Sequence, residues 1–114
     1  MSPITTHVLD LASGRPAKGV AVTLSIQVAG ARWDDLASAL TDDDGRIGDL
    51  LSEGSPLVAG IYRLQFETHA YFLTQGVRAF HPSVVVHFLV DNPSGHFHVP
   101  LLLSPFGYST YRGS

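Results

Sequence analysis

Six histidines are the side chains in this 114-residue chain most able to move protons near neutral pH, and two of them form the run His96-Phe97-His98. Side chains at i and i+2 of an extended segment point the same way. A strand here therefore puts both imidazoles on one face. One imidazole can serve as a general base or acid, and two convergent ones can ligate a metal. The plainer alternative is a solvated strand edge. The other histidines have weaker claims. His69 sits at the start of an expected helix and His81 precedes a proline. His87 alternates with apolar residues on an expected central strand, which suits a core or interface histidine with its hydrogen bonds satisfied. None of the three is assigned a role.

Arg46 follows the run Asp42-Asp43-Asp44-Gly45. An EF-hand would need an oxygen ligand where Leu40 stands, so calcium is not supported. A charged hairpin fits better, and an arginine leaving it presents a fixed guanidinium to an anion. The last residues run Tyr108-Ser109-Thr110-Tyr111-Arg112-Gly113-Ser114. Tyr111 and Arg112 are anchors typical of interfaces and anion sites. Gly113 permits close backbone approach, and Ser114 adds a hydroxyl. No nucleophile elbow, Walker A loop or dinucleotide fingerprint occurs.

The elements that hold these residues are expected to be strands. Eleven glycines and seven prolines cut the chain into short segments, the spacing of an all-β sandwich. Val20 to Val28 and Ile61 to Thr68 alternate at period two and read as half-buried strands. Arg32 to Thr41 is ambiguous. His69 to Thr74, closed by Gly76, is the one short helix. Ser83 to Val90, apolar on both faces, reads as a central strand. His96 to Leu103 and Tyr108 to Ser114 complete about eight strands.

Composition narrows the function. One domain over residues 1–114 is expected from the length. The absence of cysteine excludes disulfides and thiolate sites. A formal net charge of -3 argues against nucleic acid as the main partner. No apolar run is long enough for a membrane span. The start carries no signal-peptide pattern, so a cytoplasmic location is expected.

Three stretches now resemble a known family, the 5-hydroxyisourate hydrolases, the enzyme branch of the transthyretin-like proteins. They are Thr5 to Asp10 with Gly14-Arg15-Pro16-Ala17, then Thr41 to Arg46, then His96 to Ser114. The closing Tyr-Arg-Gly-Ser is the family's signature. Phe97 and His81 stand where tyrosines are usual. The resemblance implies a prealbumin-like sandwich of two four-stranded sheets with one short helix. It also implies a homotetramer, a dimer of dimers with sites at the dimer–dimer interface. The implied reaction opens 5-hydroxyisourate hydrolytically to 2-oxo-4-hydroxy-4-carboxy-5-ureidoimidazoline in urate breakdown. By motif position His7 and His98 become base and acid in unassigned order, and Arg46 holds the anion and the developing oxyanion. Ser114 orients water or a histidine. Tyr111, Arg112 and Gly113 shape the substrate wall. No cofactor or metal is implied, although zinc at His96 and His98 stays open. The alternative is a transthyretin-like carrier of a small aromatic ligand without turnover, which would want a roomier, more apolar channel.

Overall fold

A computed structural model describes residues 2–114. Among the described residues nine strands form two sheets, joined by one short α-helix and a 3-10 turn at Ala29–Ala31. They are β1 (Ile4–Asp10), β2 (Arg15–Pro16), β3 (Ala21–Val28), β4 (Arg32–Leu40), β5 (Arg46–Ile47), β6 (Gly60–Phe66), α1 (Thr68–Thr74), β7 (Val84–Val90), β8 (Phe97–Ser104) and β9 (Gly107–Thr110). One sheet has the order β4-β3-β6-β7 and the other β2-β1-β8-β9, with the two-residue β5 sharing an edge of β1 beside β2. The expected four-by-four sandwich is present, with one edge position filled by two short pieces.

Alternation explains the packing. Val22 and Leu24 of β3, and Tyr62, Leu64 and Phe66 of β6, turn inward. There they meet Ile4, Val8, Leu101 and Leu103 of the facing sheet in one core. Arg32 to Leu40 resolves as a strand, with a bulge against β3 at Leu24/Ser25. The helix ends as its sequence suggests. Gly76 has φ +67°, and the Gly76 and Val77 amides donate to the Leu73 and Phe72 carbonyls, the two bonds of a glycine-closed helix end. Tyr71 of α1 donates to the Asp10 carboxylate at 2.8 Å, tying the helix to the end of β1. Burial, then that carboxylate, pushes the Tyr71 phenol up.

Two expectations are corrected. Ser83 to Val90 is not central: β7 lies at the end of its sheet, with Leu89 69% exposed. Apolarity on both faces marks a strand that needs cover, and a free edge needs it as much as a sheet centre. The last strand also ends early. β9 stops at Thr110, and after a break at Tyr111 and Arg112 the tail rejoins β8 in the same antiparallel register, with Gly113 bridging His98.

The feature that matters for the site is the parallel pairing of β1 with β8. It sets Thr5 opposite His98 and His7 opposite Pro100, while β5 brings Arg46 opposite His7. Residues some ninety positions apart become neighbours through backbone hydrogen bonding alone.

Candidate active site

Arg46 is aimed by the turn before it. The Asp42 carboxylate accepts hydrogen bonds from the Asp44 and Arg46 amides, both at 2.9 Å, an Asx-type turn. Gly45 follows at φ +74°, where a Cβ would collide with the Val8 carbonyl. Only glycine suits that conformation and that closeness. The turn is therefore fixed against β1, and the guanidinium leaves it at a set place.

The tail is fixed against β8. The Gly113 amide donates to the His98 carbonyl at 2.8 Å. A Cβ at Gly113 would lie 2.5 Å from Cδ2 of His98, so the tail rests directly on the imidazole. Between turn, tail and strand lies a cleft of about 230 Å³ lined by Thr5, Arg46, His96, His98 and Ser114, with Gly48 beside Arg46.

Two imidazoles converge there on one hydroxyl. Thr5 Oγ1 lies 2.8 Å from Nδ1 of His98 and 3.2 Å from Nε2 of His96. Thr5 is buried, His98 half-buried and His96 exposed. The His98 imidazole is held below its ordinary pKa of 6.5. Burial acts first, then the charges of Arg46, His7 and His96, opposed by a backbone hydrogen bond at Thr5. His7 is likewise lowered, by burial and then Arg46, against a backbone hydrogen bond at Asp44 and the carboxylates of Asp42 and Asp44. Both rings are thus biased to the neutral form that can accept a proton. Among the described residues no group of three or more His, Asp or Glu is placed to hold a metal ion.

His98, Arg46 and Ser114 share the cleft. His7 stands beside it, near enough for its charge to act on His98. Tyr111 and Arg112 face elsewhere. They border a second cleft of about 300 Å³ with Leu89 and Phe97, which His98 also lines. The Arg112 guanidinium sits 4.6 Å over the Phe97 ring, and its Nη2 donates to the His96 carbonyl at 3.5 Å. His81 packs between Phe80 and Tyr108. His87 is exposed against Trp33, so it is not a core histidine. Thr5 is the hydrogen-bonding partner of both imidazoles, and the sequence reading left it, with Thr6, Ile47 and Gly48 of the same cleft, without a role. Its signal was alternation: Thr5 and His7 lie two apart on one strand.

Fold and cleft together define a β-sandwich protein with a small polar site built on imidazole, guanidinium and hydroxyl groups. Comparison with known proteins agrees. The HIUase/Transthyretin family model matches residues 4–113. A 5-hydroxyisourate hydrolase of Mus musculus is 46% identical, over 99% of this chain and 96% of that protein. The structure of Klebsiella pneumoniae 5-hydroxyisourate hydrolase superposes with TM-score 0.84 at 40% identity, covering 97% of this chain and 98% of the other. Sea bream transthyretin in complex with thyroxine superposes with TM-score 0.91 at 38% identity, covering 98% and 95%. The chain belongs to the HIUase/Transthyretin family.

Proposed function

We propose that this chain, as one domain of residues 1–114, hydrolyses 5-hydroxyisourate to 2-oxo-4-hydroxy-4-carboxy-5-ureidoimidazoline, the step after urate oxidation in purine breakdown. The observation that carries the proposal is the cleft in which His98, Arg46 and Ser114 meet. Hydrolysis of a ring amide needs a base for water, a cation for the developing oxyanion and an acid for the leaving nitrogen. Nδ1 of His98 is engaged by Thr5, which leaves Nε2 for water. Arg46 holds the anionic substrate and the oxyanion. His7, at the margin, is the second acid–base group. Ser114 orients water. Gly113 fixes the tail on His98, while Tyr111 and Arg112 form the outer wall beyond it. The chemistry needs no metal or cofactor.

The same proposal includes a homotetramer. β7 and β9 end their sheets with free edges, and exposed Leu89 and Tyr111 flank the cleft between them. Such edges invite pairing with another copy. No helix among the described residues is long and apolar enough to cross a membrane. A chain without cysteine needs no oxidising compartment, in keeping with a cytoplasmic enzyme. The product identifies the activity: incubation with fresh 5-hydroxyisourate yields a species heavier by one water, formed faster than without protein. The likeness to thyroxine-bound sea bream transthyretin favours a second reading, a carrier. A carrier binds an aromatic ligand saturably and leaves the product yield at the spontaneous level.

Two further outcomes are expected. Because His98 and His7 are both held below 6.5, kcat/KM stays level through neutral pH. It falls only in acid, with a midpoint below 6.5, as the base becomes protonated. A pH–rate profile whose acid limb centres at or above 6.5 contradicts the site. Gly113→Ala drives a methyl into the His98 ring, so the ring turns or the tail lifts. A displacement near 1 Å can cost about 10²-fold; kcat/KM is expected to fall at least about tenfold. Unchanged kinetics would mean that the tail does not seat the imidazole.

A further inference from the structure

We propose that Thr5 and His96 form a proton relay behind His98, so that the proton taken from water is stored on His96 and returned to the leaving nitrogen. The inference rests on the hydrolytic reading above, extends it to two residues outside the cleft's reacting atoms, and moves the acid step from His7 to His98, leaving His7 to act on His98 through its charge.

The geometry carries it. One hydroxyl sits between two imidazole nitrogens, 2.8 Å from Nδ1 of His98 and 3.2 Å from Nε2 of His96. A threonine hydroxyl has one proton to donate and lone pairs to accept with. It cannot donate to both rings. If it donates to His96, then His98 must donate from Nδ1, and Nε2 of His98 is left as a base. If it donates to His98, then His96 must donate from Nε2, and Nε2 of His98 carries a proton. The rotation of one buried hydroxyl therefore couples the two tautomers and sets whether His98 accepts or gives a proton.

In the resting state His98 holds its proton on Nδ1, and Thr5 Oγ1 donates to His96. In the forward step water's oxygen bonds to the ring carbonyl carbon, and the carbonyl electron pair moves onto the oxygen facing Arg46. Water's proton passes to Nε2 of His98. The Nδ1 proton passes to Thr5 Oγ1, and the hydroxyl's own proton passes to Nε2 of His96. His96 is now an imidazolium, and His98 is neutral with its proton on Nε2. When the carbon–nitrogen bond breaks, its electron pair stays with nitrogen, which takes the Nε2 proton of His98. The hydroxyl and His96 then return their protons by the reverse path. Protons and charge balance over the cycle.

Solvation explains why the charge would rest on His96. His98 is half-buried beside Arg46 and His7, where a cation is disfavoured. His96 is exposed and borders both the reaction cleft and a polar cleft of about 510 Å³ near Ser2 and Ser94. Water reaches it there without entering the site.

Steady-state kinetics on the folded full chain test the relay with Thr5→Val, Thr5→Ser and His96→Ala. Thr5→Val keeps the shape and removes the hydroxyl; kcat should fall about tenfold or more with KM little changed. Thr5→Ser restores the hydroxyl and should restore most of the rate. His96→Ala should lose a similar factor and recover it when free imidazole is added, because a diffusing base then takes the proton from Thr5. Wild-type kcat in Thr5→Val, an equal loss in Thr5→Ser, or His96→Ala indifferent to imidazole would overturn the relay while leaving the hydrolase standing. Absence of turnover by the wild-type chain would overturn the hydrolytic reading, and the relay's catalytic role with it.

Discussion

His98→Asn is expected to lower kcat/KM by about 10²-fold or more, the usual worth of a positioned general acid–base group. That is about 2.7 kcal/mol of transition-state stabilisation. Asparagine is close to histidine in shape at its first branch, so it can still meet the Thr5 hydroxyl where Nδ1 stood. The backbone bond from Gly113 is untouched, because it uses the His98 carbonyl. What disappears is the nitrogen that reaches water. The loss should therefore fall on turnover and leave the melting temperature and the oligomeric state nearly unchanged. Near-normal turnover in a folded His98→Asn chain would remove this residue from the chemistry.

Arg46→Ala is expected to cost a similar factor, about 10²-fold or more, through loss of the cation that faces the developing oxyanion. It carries a second, independent signature. After burial, the charge of Arg46 is the largest influence depressing both His98 and His7. Removing a positive neighbour makes each imidazole easier to protonate, so both pKa values rise. The acid limb of kcat/KM should therefore move to higher pH as the maximal rate falls. Arg46→Lys keeps the charge without the planar fork and should lie between the two in rate, with its acid limb near the wild-type position. A profile lowered in height but unmoved along the pH axis would mean that Arg46 does not sit in the field of the two histidines.

Much of this molecule is legible in its local sequence. Val22 and Leu24, or Tyr62, Leu64 and Phe66, declare their strand and its buried face by alternation. Asp42 to Gly45 declares a tight turn, although the strands it joins lie in different sheets and form no hairpin, and Thr74-Gln75-Gly76 declares a helix end. The family signature at Tyr111 to Ser114 draws attention to the right tail. What local sequence leaves open is everything decided by distant pairing. Local sequence offers Thr5 only its alternation with His7; it matters because β1 runs parallel to β8 and meets His98. β7 is apolar on both faces, and that pattern does not separate the middle of a sheet from an edge awaiting another copy. Tyr111 and Arg112 adjoin Ser114 in sequence, yet the ladder with β8 breaks at those two residues and resumes only at Gly113. Those two of the four signature residues border the second cleft, while Ser114 lines the first.

The central claim is that this cleft hydrolyses 5-hydroxyisourate through His98. The direct measurement is the ultraviolet decay of 5-hydroxyisourate, freshly made by complete oxidation of urate with a separate uricase. It is followed with buffer, with wild-type chain and with His98→Asn at equal concentration. Decay by the wild-type chain well above the buffer rate, falling back toward that rate in His98→Asn, is the predicted result. Decay at the buffer rate from correctly folded wild-type chain would contradict the claim and bring the carrier reading forward in its place.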